Sequence, residues 1–512
     1  MGIVQNLSVD TTARGIFLLV TKDVISTVTS VVFFVLVARF LPSIADLGVL
    51  TGLQTLIIMF VILSGLGLPY ASVRFISTYI GSGESKKAYS LYPLTFVIGA
   101  ASSAAFALIL YGISPQISDW LFHGTITTPI IQLASLDIFF YSLMLTCGSL
   151  LTASMEFKKL TYITILNSIL KYTLSLLLLV LGLQIYGIIL GLIIGDAFAL
   201  FLFVYFLWPK FFENKIRFGQ LFELGSLLKY SLSTYGFLVI NFLSIRIDVY
   251  LLLTLSTLYL VGIYTPAIFV ASTFLMILLA MDQALLPIFS RLYGKSGTSS
   301  FKYCARCMTR YIFLFYYPLG FALAASSHSI VEITLGERFV ESTFPIMIIM
   351  IAITLTSPIV IINNLLRSAG HTRMILGSAS IGLVIQIFIS VIAIPSFGVV
   401  GVAVARSISR IVLLIFPLYE LRRMGGFEID RTALKSGISA SLLIVFVIIS
   451  IDLIVTGPFS LLIQYTVAFI VFLTVLRVTR VVNAKDIELM DKVLMGKMKI
   501  LLDPVKEILI KS

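Results

Sequence analysis

Residues 160–207 read LTYITILNSILKYTLSLLLLVLGLQIYGIILGLIIGDAFALFLFVYFL, and this stretch decides the class of fold. Its only charged residues are Lys171 and Asp196. A helix needs about 20 apolar residues to cross the hydrocarbon core of a bilayer. The stretch is long enough for two spans, and the uncharged turn sequence Gln184-Ile185-Tyr186-Gly187 predicts the point at which the chain reverses.

The composition of the whole chain agrees with a membrane environment. Hydrophobic residues make up 59% of the 512 residues and charged residues only 12%, about half the ~25% that is usual in soluble domains. The formal charge of +12 could indicate nucleic-acid binding in a soluble protein. Because no basic stripe with interleaved aromatic residues occurs, we predict no nucleic-acid partner and assign the basic residues to loops between spans.

The same length criterion, applied outward from residues 160–207, predicts an all-α polytopic protein with about fourteen transmembrane helices. With the N-terminus in the cytoplasm, 29 of the 36 lysines and arginines fall in cytoplasmic segments and two in external loops. This asymmetry predicts that both termini are cytoplasmic. The predicted spans are 15–40, 50–67, 89–112, 128–152, 160–182, 185–207, 230–255, 261–287, 310–327, 343–366, 374–394, 397–418, 436–456 and 459–478.

An internal repeat predicts the domain organisation. Residues 181–190, LGLQIYGIIL, match 392–401, IAIPSFGVVG, at a shift of 211, which aligns Gly187 with Gly398. Residues 47–51, LGVLT, match 261–265, VGIYT, at a shift of 214. Six spans in each copy make a parallel repeat. The predicted segments are an N-terminal six-helix lobe (1–210), an interfacial linker (211–229), a C-terminal six-helix lobe (230–430), two extra transmembrane helices (431–482) and a cytoplasmic amphipathic tail (483–512).

Two arginines inside a predicted span are candidates for substrate binding. Arg406 and Arg410 lie four residues apart, so they share one face of a helix. Two guanidinium groups on one face repel unless an anion lies between them, and the guanidinium fork binds phosphate oxygens bidentately. We predict that they bind a pyrophosphate; pairing with acids such as Asp196 or Asp248 is the structural alternative.

The remaining intramembrane charges are also expensive to bury and need partners. Arg246 and Asp248 on span seven are candidates for substrate binding, with a structural role equally open. Lys22 is a further candidate substrate-binding residue, and its neighbour Asp23 is a candidate site for a coupling H⁺ or Na⁺.

Several other intramembrane charges have structural explanations. Lys171 and Asp196, on consecutive antiparallel spans, are predicted to form an interhelical ion pair. Asp137, Asp282 and Asp452 lie nearer to span ends and are expected to be wetted.

No constellation in the sequence indicates catalysis. The three histidines, His123, His328 and His371, are scattered and belong to no catalytic or metal-binding pattern. Cys304 and Cys307 have C-x-x-C spacing without a second pair or a nearby histidine. We therefore predict a protein that is not an enzyme and has no metal site and no cofactor.

Several short motifs, in this order, carry a family resemblance: Ala38-Arg39-Phe40-Leu41-Pro42, Arg246-Ile247-Asp248 and Leu286-Pro287-Ile288-Phe289-Ser290. Together with fourteen spans and the six-plus-six repeat, they make the chain resemble the multidrug/oligosaccharidyl-lipid/polysaccharide (MOP) exporter superfamily. Within it, the chain is most similar to the polysaccharide (Wzx-type) flippases.

The resemblance implies two six-helix lobes around a central cavity and a location in the plasma membrane. It implies a flippase that moves a polyprenyl-(pyro)phosphate-linked oligosaccharide from the cytoplasmic to the outer leaflet by alternating access. The implied partners are this lipid-linked substrate and the membrane lipids. Two alternatives stay open: an ion-coupled multidrug or cation antiporter of the same superfamily, and a flippase for a peptidoglycan-precursor lipid.

Overall fold

The computed structural model describes residues 9–124, 128–212, 221–296, 301–455, 457 and 459–481. Within these ranges the chain is helical, and no strand occurs. The predicted tail at 483–512 lies outside the described residues. The helices of the first half are α1 (Val9–Phe40), α2 (Ile44–Gly65), α3 (Leu68–Gly81), α4 (Ser85–Gly112), α5 (Ser114–Phe122), α6 (Thr128–Ala153), α7 (Phe157–Leu178) and α8 (Gln184–Phe212).

The second half also begins with two long helices, and its later helices differ in length from those of the first half. Its elements are α9 (Leu221–Leu255), α10 (Leu258–Ser296), α11 (Phe301–Tyr311), α12 (Tyr317–Ala325), α13 (Ser327–Leu335), α14 (Thr343–Thr356), α15 (Ile359–Ser368) and α16 (Thr372–Arg423). Two further helices follow, α17 (Arg431–Ile454) and α18 (Ser460–Thr479).

The helices account for the predicted number of membrane spans. Eleven of the described helical segments are long and apolar enough to cross a membrane. Two of them, Phe157–Phe211 and Thr372–Arg423, have 55 and 52 residues and a sharp backbone break inside, so each makes two spans. The segment Phe301–Ala325, which α11, a π-helical turn and α12 form together, supplies one more. The chain is thus an all-α polytopic membrane protein with about fourteen spans, as predicted.

The backbone breaks in the two long helical segments have the same conformation. Gln184 adopts φ 47° and ψ −130°, and Gly398 adopts φ 52° and ψ −127°. Only glycine reaches this region without strain. The first break therefore lies at Gly182–Gln184, slightly earlier than the predicted Gln184–Gly187 turn, because Gln184 occupies a conformation that the sequence pattern assigns to glycine.

The positions of these breaks give the register of the repeat. Gln184 and Gly398 are 214 residues apart, and so are the first residues of α2 and α10, Ile44 and Leu258. The predicted alignment of Gly187 with Gly398, at a shift of 211, is therefore wrong. Gly187 corresponds to Gly401, and both glycines lie against the preceding helix, where an added Cβ would come within 2.9 Å of backbone atoms.

The repeat produces a reciprocal contact between α2 and α10. A Cβ added at Gly48 would lie 2.0 Å from the carbonyl oxygen of Leu258, and one added at Gly262 would lie 2.1 Å from the carbonyl oxygen of Ile44. Ile44 corresponds to Leu258 and Gly48 to Gly262 in the 214-residue register. Small residues allow such close backbone approach between membrane helices, so each copy supplies the glycine that its counterpart packs against.

The chain divides into two compact units, residues 1–262 and 263–512. In the first unit, the main described core lies between α3, α4, α6, α7 and α8, and its fully buried members include Leu68, Tyr92, Ile163, Ala199 and Leu207. In the second unit, α17 packs on α12 and α18, with Ala322, Ile444 and Ala468 in a smaller cluster. The predicted lobe boundaries at residues 210 and 230 stay a prediction.

Candidate functional site: buried charges in the membrane segments

The predicted partners Lys171 and Asp196 lie together in the first unit, on α7 and α8. Lys171 Nζ is 3.5 Å from Asp196 Oδ1, and Asn167 Nδ2 donates to the same oxygen at 2.8 Å. The ammonium group also lies 5.7 Å from the ring centre of Tyr141 and 5.3 Å from that of Tyr172. Close helix packing permits this arrangement, because Gly195 faces the Cβ of Lys171, where an added methyl group would overlap.

A second carboxylate, Asp137 on α6, completes this buried group. Asp137 is only 4% exposed, so the expectation that it is wetted is wrong. It interacts electrostatically with Asp196 and Lys171. Its Oδ1 atom has no hydrogen-bond partner among the described residues, and neither has Oδ1 of Asn167. The sequence signal was an aspartate within a long apolar segment; its burial depends on the helices that pack on α6.

The two arginines of α16 lie in the second unit. Arg406 is 6% exposed, and Arg410 is half-buried with its Nε atom fully enclosed. Arg410 interacts electrostatically with Arg406 and with Tyr316. Within the part of the chain that the structure describes, Arg410 makes no ion pair, and its Nε donates no hydrogen bond. The predicted alternative of an acidic partner for Arg410 is thus not seen among these residues.

The break at Gly398 divides α16 into two limbs. Polar side chains without a hydrogen-bond partner lie on the first limb, which precedes the break. Ser409 Oγ donates to Gly382 O at 2.8 Å, which fixes how the two limbs of α16 face each other. Gln386 and Ser390 follow Gly382 at intervals of four residues on the same face. Gln386 Nε2 and Ser390 Oγ are buried without a hydrogen-bond partner in the described chain. Together with Arg410, these groups could donate to an anion.

The remaining predicted residues lie in the first unit. Asp248 on α9 is fully buried, and its Oδ1 accepts from the N–H of Val249 at 3.0 Å. Arg246 lies on the same helix and interacts with Tyr250. On α1, Lys22 Nζ is 3.1 Å from Asp23 Oδ1, and the Asp23 side chain is 48% exposed. Both predicted residues on α1 therefore have a neighbouring opposite charge.

The other two aspartates that were expected to be wetted, Asp282 and Asp452, accept hydrogen bonds from side chains of neighbouring helices. In the second unit, Arg367 on α15 pairs with Asp282 on α10 at 3.0 Å, and Asn364 donates to the same carboxylate at 2.9 Å. Asp452 on α17 accepts from Gln464 on α18 at 3.0 Å. These contacts tie helices together, whereas Arg410 Nε and Asp137 Oδ1 are buried without a hydrogen-bond partner in the described chain.

A family of known proteins matches more than half of the chain. A family model described as "Polysaccharide biosynthesis protein" matches residues 35–344, which is more than half of the chain. The chain belongs to this family. No curated protein matches the sequence.

Solved structures of other proteins share the fold of this family member. It is similar to the structure described as lipid II flippase MurJ in an inward closed conformation, with a TM-score of 0.72, 16% identity, and coverage of 90% of this chain and 98% of that chain. It is also similar to a point mutant of the Vibrio cholerae MATE transporter VcmN, with a TM-score of 0.59, 18% identity, and coverage of 81% of this chain and 98% of that chain.

A third similar structure is a MOP superfamily transporter from Pyrococcus furiosus, with a TM-score of 0.56, 13% identity, and coverage of 80% of this chain and 96% of that chain. Family and fold together confirm the predicted membership in the MOP superfamily. The family member is a multi-pass membrane protein whose fold is that of known transporters, which agrees with the prediction that it is not an enzyme.

Proposed function

We propose that this protein is a flippase that moves a polyprenyl-(pyro)phosphate-linked oligosaccharide from the cytoplasmic to the outer leaflet of the plasma membrane. Both termini lie in the cytoplasm, in agreement with the distribution of lysine and arginine. Membership in a polysaccharide biosynthesis family supports a glycan cargo. The fold, which the chain shares with lipid and drug transporters, supports alternating access with the polyprenyl tail left in the bilayer.

The observation that carries this proposal is the arginine pair on α16. Arg406 and Arg410 lie one helical turn apart within the membrane, and Arg410 has no acidic partner in the described residues. Two neighbouring cations are costly to keep in a membrane. A pyrophosphate relieves their repulsion, since each guanidinium can bind phosphate oxygens through two parallel hydrogen bonds. The pair thus recognises the group that joins lipid and sugar.

The other candidate residues have supporting roles in the proposed cycle. Within the first unit, Arg246 is a candidate cation for an anionic headgroup and Asp248 is a candidate acceptor for sugar hydroxyls. Lys22 is a further candidate, and Asp23 neutralises its charge. A transmembrane gradient of H⁺ or Na⁺ drives net movement, because the sequence contains no G-x-x-x-x-G-K-[ST] loop for binding the phosphates of a nucleotide. Lys171 and Asp196 hold α7 against α8 and leave the cargo to the arginine pair.

The test measures flipping in proteoliposomes with a fluorescent polyprenyl-pyrophosphate oligosaccharide. We expect native protein to expose the label in the opposite leaflet and the Arg406→Ala/Arg410→Ala variant to lose about a hundredfold or more in rate, since truncating buried charged hydrogen-bond donors costs about 2–5 kcal/mol of binding. Arg422→Ala/Arg423→Ala is the matched control, because both residues lie exposed in the last turn of the same helix.

The outcomes separate the candidate functions. Flipping that survives in the double variant would assign the arginine pair to structure. Transport of a peptidoglycan-precursor lipid in preference to the oligosaccharide lipid would favour the second candidate cargo, for which the similarity to lipid II flippase MurJ is the supporting observation. Uptake of a cationic dye, without lipid movement, would overturn the flippase proposal in favour of an antiporter.

A further inference from the structure

The buried charges of the first unit do not balance. Among the described residues, Lys171 is the only cation that interacts with Asp137, and it lies 3.5 Å from Asp196, which also accepts from Asn167. With both aspartates ionised, the group carries one net negative charge. Tyr141 and Tyr172 are the other titratable side chains that interact with Lys171. Helices α2 to α5, which also pack on or beside α6, contribute no charged group to Asp137 in the described chain.

An uncompensated carboxylate is costly at this depth. Asp137 is 4% exposed, and its Oδ1 accepts no hydrogen bond in the described chain. Asn167, equally buried, leaves its own Oδ1 without a donor in the same group. A buried ion requires an opposite charge and hydrogen bonds to offset the loss of water. The site therefore lacks one positive charge and one donor, and a single bound proton supplies both.

A proton fits these surroundings better than a metal ion. Hard cations in proteins take roughly six or more oxygen ligands. No cluster of three or more metal-ligating side chains occurs in the described residues, and the ammonium group of Lys171 would repel a second cation. A proton needs only one carboxylate oxygen, and the resulting O–H can donate to a neighbouring oxygen.

We propose that Asp137 is the protonation site that couples this transporter to a proton gradient; the inference rests on the proposed flippase function. When Asp137 is ionised, its carboxylate competes with Asp196 for Lys171. When Asp137 takes up a proton from water, an O–H bond forms on its carboxylate and Lys171 stays with Asp196. Titration of Asp137 thus changes the electrostatic link between α6, α7 and α8.

Coupling requires that the proton binds two conformations of the transporter with different affinity. A group whose packing depends on three helices meets this requirement, since movement of any one helix changes the distance from Asp137 to Lys171. Asp23, the coupling residue predicted from sequence, is less suited. It is 48% exposed and lies 3.1 Å from Lys22, so its ionised form is already compensated.

The first measurement detects the proton directly. Infrared difference spectra of the purified full-length protein, recorded across a pH titration, should contain the carbonyl band of a buried protonated carboxyl group. We expect this band to be lost in Asp137→Asn and kept in the control Asp119→Asn, which alters an exposed carboxylate. This measurement needs no transport, so its result stands even if the flippase proposal fails. A band unchanged in Asp137→Asn would overturn the assignment.

The second measurement tests coupling in the flipping assay. We expect a proton gradient to accelerate native flipping several-fold and to leave Asp137→Asn unaffected, with Asp137→Glu restoring part of the response. Thermal unfolding in detergent checks folding: Asp137→Asn, which resembles the protonated state in shape and charge, should unfold at or above the native temperature. A gradient response that persists in folded Asp137→Asn would place the coupling proton elsewhere.

Discussion

The two kinked helical hairpins of this protein carry opposite charges at equivalent positions. Asp196 lies twelve residues after the break at Gln184, and Arg410 lies twelve residues after the break at Gly398. Asp196 has Lys171 on the preceding helix as its counterion. Arg410 has Arg406 and Tyr316 as its electrostatic neighbours. The repeat therefore preserves the backbone conformation but not the charges. The first hairpin carries an ion pair, and the second carries two neighbouring cations.

Removing the cation from each hairpin should change the free energy of unfolding the most, and it should change it by very different amounts in the two hairpins. Lys171→Met leaves Asp137 and Asp196 buried without a counterion, and we expect the free energy of unfolding to fall by about 3–5 kcal/mol. Arg410→Met removes a cation that has no acidic partner in the described chain, so it should cost less than ~1 kcal/mol. Thermal unfolding in one detergent compares them. Equal destabilisation by both changes would remove the distinction between the hairpins.

The reciprocal helix contact offers a test in which the two halves should behave alike. Gly48→Ala and Gly262→Ala each place a methyl group about 2 Å from a carbonyl oxygen, so each should destabilise the protein by about 1–3 kcal/mol through overpacking. The double variant should cost less than the sum, because either change already separates the helices. Gly236→Ala, with open space around it, is the matched control, and a similar loss there would contradict the packing explanation.

Exchanging the residues at the two breaks should produce effects of opposite sign. Gln184→Gly removes a side chain from a strained conformation and should stabilise the protein by about 1 kcal/mol. Gly398→Gln introduces that strain into the second hairpin and should destabilise it by about 1–3 kcal/mol. Unfolding midpoints of the two variants and of their combination measure this. If Gln184→Gly destabilises the protein, the side chain of Gln184 has a role that outweighs its strain.

Removing the carboxylate that precedes α7 or α17 should produce the smallest difference in stability between the two halves. Asp430 caps α17 through the N–H groups of Thr432 and Ala433 at 3.0 Å. Burial alone would raise the pKa of Asp430, but the backbone N–H of Ala433 and the guanidinium of Arg310 lower it overall. Asp430→Ala should cost about 1 kcal/mol. Glu156 makes no capping bond to α7 but forms ion pairs with Lys159 and Lys210, so Glu156→Ala should also cost up to about 1 kcal/mol.

The pH dependence of the Asp430 contribution follows from the sign of its shift. Because the folded pKa is below the unfolded value of about 3.9, the stabilisation is present above that value and is lost as the pH falls through the folded pKa. Native protein should therefore lose stability relative to Asp430→Ala only in strong acid. A difference that disappears already near neutral pH would contradict this explanation.

Sequence patterns predicted the spans because the cost of placing polar residues in hydrocarbon acts on each segment separately. They also identified Lys171, Asp196 and the arginine pair, since an ionisable residue within a long apolar segment stands out. The register of the repeat was predicted wrongly, because Gln184 adopts a backbone conformation that is typical of glycine. The burial of Asp137 was not predicted either, since it depends on the helices packed on α6 and not on its distance from a span end.

The reciprocal contact of Gly48 and Gly262 also bears on the origin of the chain. A contact in which each copy offers the same two surfaces to the other is the geometry of a twofold-symmetric homodimer. A half-length ancestor with the sequence of either copy would already have had a self-complementary interface at this glycine. Duplication and fusion would then have converted an association that depends on concentration into one that is intramolecular.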